Sequence, residues 1–267
     1  MPPIVLSRRG DFILALFKTS YSLLFGACVG SFLNVCLVRW KSGGQVFTPA
    51  SNCPHCHRFL PWYDNIPLVS FFLLKGKCHF CKCPISWQYP IIEMSTSVFF
   101  LFSALKFSSL GMILSSCLFS SFLILLVASD LKWRLLPTVF NNLMVVSGIL
   151  VSVLGLSKDN RPLFDPFHAA AGYVCAGGLL LLLDFVYPKS LGGGDVVMVA
   201  GLGAWLGMPN VLAALLIAFG LGAFFSLPLF LSGRISRKSM IPFGPFLALG
   251  AWCVWFFPSS FLTFSQG

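Results

Sequence analysis

Residues 108–137 read SSLGMILSSCLFSSFLILLVASDLKWRLLP. No side chain from Ser108 to Ser129 is charged. Asp130 ends the run, and Lys132, Trp133 and Arg134 follow before Pro137. A helix needs roughly 20 apolar residues to cross a bilayer, and a Trp between two cations suits the membrane–water boundary. Similar apolar stretches lie on both sides, at 12–38, 91–106, 138–157, 167–187, 195–208, 210–232 and 241–257. With 108–129 they make about eight transmembrane helices, so the expected fold class is an all-α polytopic membrane protein. The stretch at 195–208 is short and rich in glycine. Short or interrupted membrane helices often line a site rather than face lipid. Arg8 and Arg9 precede the first stretch without a cleavage site, so 12–38 is read as a retained span.

Composition supports this solvent. Of the 267 residues, 57% are hydrophobic and 10% charged, with a mean hydropathy of +0.87. A soluble domain carries about 25% charged residues. Orientation follows from Lys and Arg. If 39–90 faces the cytoplasm, eight spans place 130–137, 188–195 and 233–240 on the same side. Twelve cations then lie inside and five outside, with Lys18 within the first span. The net charge of +10 therefore fits loops against an anionic inner leaflet and calls for no nucleic acid.

One polar island, 39–90, interrupts the apolar pattern. It carries Cys53-Pro54-His55-Cys56 and Cys78-His79-Phe80-Cys81, two Cys-x-x-Cys pairs separated by 21 residues. Each pair can wrap one side of a tetrahedral zinc ion, and four thiolates close the shell. Such an ion has no open position and is structural. Cys83 is an alternative to Cys81. Two disulfides would require an oxidising compartment, against the charge bias.

The chain has eight acids: Asp11, Asp64, Glu93, Asp130, Asp159, Asp165, Asp184 and Asp195. An acid within or beside a span is costly and marks function by default. Asp11, Asp159 and Asp165 read as solvated charges, and Asp184 as an interfacial or proton-linked acid. Asp130 ends a span, and Asp195 follows Gly192-Gly193-Gly194 at the start of another. Asp195 could be a helix cap and Asp130 an interfacial anchor. Topology nevertheless puts both at one membrane face. Two close carboxylates share a proton, so one acts as general base on water while the other polarises a carbonyl. That is the chemistry of aspartic peptide hydrolysis. The glycines would let an extended peptide lie against backbone.

These residues in this order resemble the bifunctional type IV prepilin peptidases, Gly-x-Gly-Asp membrane aspartic proteases. Gly30-Ser31-Phe32-Leu33-Asn34-Val35 with Arg39 is similar to the family's N-terminal signature. Cys53, Cys56, Cys78 and Cys81 are similar to its cytoplasmic zinc domain. Asp64-Asn65-Ile66-Pro67-Leu68, Pro84-Ile85-Ser86-Trp87 and Tyr89-Pro90 to Glu93 match later blocks. Asp130 with Pro137, Gly192-Gly193-Gly194-Asp195, and Phe243-Gly244-Pro245 match the rest.

The resemblance implies three regions: an N-terminal transmembrane helix (1–38), a cytoplasmic zinc-binding region tied to methyl transfer (39–90) and a transmembrane aspartic peptidase (91–267). It also implies that short basic leaders are cut after a Gly from type IV prepilins or type II secretion pseudopilins, at the inner face of the cell inner membrane. The new N-terminal residue, usually Phe, is then methylated from S-adenosylmethionine. Asp130 and Asp195 would be catalytic, and Gly192, Gly193 and Gly194 would bind substrate. For the methyl-transfer site, Glu93 suits an ammonium or sulfonium, Asn34 an amine and Arg39 a carboxylate. An interfacial ion pair and a helix-packing amide are the plainer readings. The chain departs from the pattern at Thr138 and Lys132, where the family often has acids or Asn, and at the extra Cys83. Other classes explain less. A proton- or cation-coupled transporter leaves the cysteines unexplained, and a zinc adaptor leaves the glycine run and both acids unexplained. A peptidase without methyltransferase activity is the nearest rival.

Overall fold

Each of the eight apolar stretches falls on a helix in a computed structural model of the chain. The structure describes residues 4–43, 51–156, 165–187, 192–233 and 241–257, with side chains from residue 16 onward. The side chains of Arg8, Arg9 and Asp11 therefore lie outside the described residues. So do Lys158, Asp159, Arg161, Lys189, Arg234, Arg237 and Lys238. The helices are α1 (Ile4–Ser42), a short α2 (Val69–Leu73), α3 (Gln88–Lys106), α4 (Leu110–Trp133), α5 (Thr138–Val153), α6 (Pro166–Val186), α7 (Gly193–Leu206), α8 (Asn210–Leu231) and α9 (Gly244–Phe256). Among the described residues there is no strand. Two isolated antiparallel bridges, Asn52 with Phe59 and Lys77 with Pro84, are the nearest approach to one.

Four helical stretches are long and apolar enough to cross a membrane: Leu16–Ser42, Leu110–Trp133, Pro166–Val186 and Asn210–Leu231. By this measure four of the expected eight or so spans are met among the described residues. The shorter apolar helices α5, α7 and α9 have 16, 14 and 13 residues. At ~1.5 Å per residue, 14 residues reach ~21 Å against a hydrocarbon core of ~30 Å.

The chain forms two compact units, Met1–Ser121 and Phe122–Gly267, with α4 beginning in one and ending in the other. In the first unit α1 lies on α3 through two glycines one turn apart. A Cβ on Gly26 would sit 2.7 Å from Ser97 Cα, and one on Gly30 2.6 Å from Glu93 Cα. This is small-residue packing of a kind common between membrane helices. Leu37 is buried on the same helix, Phe25 and Phe100 meet at 5.9 Å, and the Lys18 ammonium donates to Phe107 O.

In the second unit α7 is the core. Met198, Val199, Leu202, Ala204 and Trp205 have no exposed surface. A helix apolar all round must be covered all round, and α5, α6 and α9 cover it. Trp205 Nε1 donates to Met144 O at 2.8 Å, Gly148 lies under the indole, and Trp255 meets it edge-on at 5.7 Å. Gly172 and Gly203 bring the backbones of α6 and α7 into direct contact. Gly203→Val is expected to cost about 1–3 kcal/mol or prevent folding, since the opposing atom is a carbonyl that cannot rotate away. Gly178→Ala, at a position open to its surroundings, should be neutral or slightly stabilising. Thermal unfolding in detergent checks both, and equal effects at the two sites would refute the packing account.

Candidate active site

Asp130 closes the apolar run of α4 yet is only 5% exposed. The helix stops because Arg134 takes a left-handed conformation (φ 53) while its N–H still donates to Asp130 O. Ser129 Oγ caps the outgoing turn by donating to Leu135 O at 2.7 Å, and Pro137 directs the chain into α5. The Lys132 ammonium lies 4.9 Å from the Trp133 ring, as an interfacial anchor would.

The Asp130 side chain points inward, where its Oδ2 accepts the Gly244 N–H at 2.8 Å. Gly244 opens α9 just before a Pro at the first turn, so its N–H is one of the unpaired donors of a helix start. A Cβ there would lie 2.7 Å from Asp130 Oδ2. A side chain at 244 would push the Asp130 carboxylate aside. The sequence marked Phe243-Gly244-Pro245 as a motif without a role. Nothing local to that motif identifies the acid its glycine meets.

Asp195 is the third residue of α7 and half-buried. Its N–H donates to Gly192 O at 2.9 Å. The three glycines divide in role. A Cβ on Gly194 would meet Leu136 Cβ at 2.8 Å, so Gly194 lets α7 close on the turn that leaves α4. Gly192 lies beside the Asp195 carboxylate, and Gly193 is exposed with open space around it. Asn141 of α5 donates to Gly194 O at 3.1 Å. These contacts bring the turn that leaves α4 and the start of α7 together. Asp184 is half-buried near the end of α6, and its Oδ1 makes no hydrogen bond among the described residues.

The cysteines form a second centre, within the first unit. The Sγ atoms of Cys53, Cys56, Cys78 and Cys81 all lie within 4.8 Å of one another, and Cys53 and Cys81 are 3.7 Å apart. Four sulfurs around a tetrahedral zinc at ~2.3 Å would be about 3.8 Å apart, so the residues fit the ion. All are free thiols rather than disulfides. Both halves use one backbone design. Cys53 N–H donates to Arg58 O and His57 N–H to Cys53 O; Cys78 N–H donates to Cys83 O and Lys82 N–H to Cys78 O. His57 and Lys82 each take positive φ to complete the turn (56° and 59°). Cys83 thus serves the second knuckle through its backbone, outside the sulfur cluster.

Without metal, Cys53 and Cys81 are pushed in opposite directions. Burial opposes a thiolate at Cys53, but hydrogen bonds from the backbone at Cys56 and His55, and from the Cys78 and Cys56 thiols, bring it down to about 7. For Cys81 a backbone hydrogen bond at Cys83 favours the thiolate. Desolvation and the Cys78, Cys83 and Cys53 thiols oppose it and push Cys81 up to about 12. A cation is what allows all four to carry charge together.

The remaining sequence-derived site residues lie in the first unit. Asn34 is buried, donating to Tyr89 O at 3.1 Å and Gly30 O at 3.3 Å, and accepting from Gln88 Nε2 at 3.3 Å. Its amide joins α1 to the start of α3. Glu93 is buried and accepts the Leu68 N–H at 2.7 Å and the Ser31 hydroxyl. Leu68 has φ 62 and ψ −51, and Val69 N–H donates to Pro67 O, a strained γ-turn that Glu93 holds in place. Arg39 is half-buried in the last turn of α1. Within the second knuckle, His79 Nδ1 lies 3.5 Å from Asp64 Oδ1.

Comparison with known proteins adds a second line of information. A family model for the bacterial peptidase A24 N-terminal domain matches residues 24–107, and one for the type IV leader peptidase family matches residues 117–227. The chain is 33% identical to a prepilin leader peptidase/N-methyltransferase of Xanthomonas campestris, over 86% of this chain and 88% of that one. It is 30% identical to the protein of the same name from Aeromonas hydrophila, over 87% and 88%. It is 28% identical to that of Bacillus subtilis, over 92% and 96%. No solved structure matches the chain.

Proposed function

The chain belongs to the type IV leader peptidase family, and on that premise we propose that it removes the short basic leader of prepilins or pseudopilins with Asp130 and Asp195 as the catalytic pair. The observation that carries this reading is the buried Asp130, held by the Gly244 N–H, with Asp195 in the first turn of the helix that closes on the turn leaving α4. One aspartate takes a proton from water as the oxygen adds to the scissile carbonyl. The other, protonated, donates to the carbonyl oxygen. Collapse of the tetrahedral species breaks the C–N bond, and the departing amine takes up the proton. The exposed backbone at Gly192 and Gly193 would hold the peptide extended, since a helical substrate hides its carbonyls.

The second activity belongs to the first unit. The residues offered to S-adenosylmethionine fit it in charge: Glu93 is a buried acid that a sulfonium or ammonium would favour, with Asn34 and Arg39 on the facing helix. When bound, the donor would supply an electrophilic methyl group to the new N-terminal amine. The residues 39–90 would form a cytoplasmic zinc domain between the span ending at 38 and the peptidase region 91–267. The eight apolar helices would together form the part within the inner membrane, with the aspartates facing the cytoplasm. The charge bias supports that orientation.

Purified protein incubated with a prepilin and S-adenosylmethionine is expected to yield two fragments, the larger beginning after the Gly and heavier by one methyl group. Mass spectrometry reads both events. An intact substrate would refute the peptidase. Cleavage without methylation would leave a peptidase alone.

A further inference from the structure

Asn141 belongs to none of the motifs considered above. It has no exposed surface, its Nδ2 donates to Gly194 O, and its Oδ1 makes no hydrogen bond among the described residues. A buried amide satisfied at one end is less stable than hydrocarbon of the same shape. Packing therefore does not explain it. What it reaches is the carbonyl immediately before Asp195.

Leu136 presses on Gly194 from the α4–α5 turn, but an apolar contact has no direction and by itself leaves the peptide plane in the first turn of α7 free to tilt. A hydrogen bond is directional. Fixing the Gly194 carbonyl fixes the peptide plane from which Asp195 projects, so a small rotation there becomes a larger displacement of the carboxylate. Asp130 is already pinned by Gly244, and the geometry of the pair depends on what pins Asp195.

We infer that Asn141 is a positioning residue for leader cleavage, holding the first turn of α7 so that Asp195 faces Asp130. The inference rests on the aspartate-pair reading above. It extends that reading to a residue on a third helix that contacts neither carboxylate in the hydrogen bonds described.

The test compares Asn141→Leu, Asn141→Gln and Asp195→Asn in the full chain in detergent. The substrate is a peptide with a basic leader ahead of a Gly-Phe junction. Asn141→Leu should lower kcat about 10- to 100-fold and leave KM within about twofold. Its thermal midpoint should stay at or above that of the parent. Asn141→Gln keeps the donor and should recover part of the loss. The pH–rate profile should also change, because carboxylates held less closely are less coupled and their two apparent pKa values move together. A residue with only a structural role would lower the midpoint and leave the profile as it was. Unchanged kcat and profile in Asn141→Leu would overturn the inference. Should that variant fail to fold, Asn141→Ala carries the same expectations. Cleavage by Asp195→Asn would instead remove the aspartate-pair reading itself, whereas inactive Asp195→Asn beside fully active Asn141→Leu would reject the positioning role alone.

Discussion

Asp130→Asn and Asp195→Asn are each expected to lower the rate of leader cleavage by about 10⁴-fold or more, the scale seen when one member of a catalytic unit is removed. Asn matches Asp in shape. At residue 130 its amide oxygen can still accept the Gly244 N–H that now meets Oδ2 at 2.8 Å. At residue 195 the backbone bond to Gly192 O does not involve the side chain. Both variants should therefore insert and unfold like the parent, and the loss should appear in kcat. The double variant should be little worse than either single one, because a pair that shares a proton acts as one unit. Initial rates on a basic-leader substrate, measured beside thermal midpoints, check all three. Substantial cleavage by both single variants would sink the catalytic assignment.

The chemistry was legible because acids are scarce in an apolar chain. With eight acids in all, an Asp ending an apolar run and an Asp after three glycines stood out. The helices were legible too, but what surrounds each was not. A buried 14-residue helix and a lipid-facing one carry the same apolar side chains. α7 reads as a short, glycine-rich span although other helices cover it. The start of α1 at Ile4 was hidden by Arg8, Arg9 and Asp11, charges that interrupt the apolar pattern without interrupting the helix. The residues that set the site geometry were the least visible. Gly244, Leu136 and Asn141 act across 114, 58 and 53 positions of sequence, on Asp130 and the Gly194 backbone respectively. Local pattern carries no signal over such separations. The knuckles show the converse. Their paired spacing announced a metal centre, but His57 and Lys82 occupy positive-φ positions where glycine would be the usual choice.

Replacing Cys53 and Cys56 together by Ser is expected to take bound zinc from about one ion per chain to none. Two hydroxyls cannot replace two thiolates around a soft-leaning ion, and the remaining pair is too few to close a tetrahedral shell. The consequence should spread beyond the sulfurs. Each knuckle is a single tight turn closed by two backbone hydrogen bonds, and no strand ladder or large core lies behind it among the described residues. Binding energy in such a site is folding energy. The Asp64–His79 contact ties the second knuckle to the turn at Trp62–Asn65, and the Leu68–Glu93 hydrogen bond ties that segment to α3. Loss of the ion should free this chain of contacts, so residues 51–87 become sensitive to added protease. The helical signal should persist, because the core around α7 is built from Met144, Trp205 and Trp255, far along the chain from the cysteines. Cys83→Ser should keep its metal, because its sulfur is not one of the four clustered and its carbonyl, which accepts the Cys78 N–H, is unchanged. Metal analysis of anaerobically purified protein, with limited proteolysis alongside, decides the matter. A parent chain without metal, or a Cys53→Ser/Cys56→Ser chain that retains it, would reject the four-thiolate site.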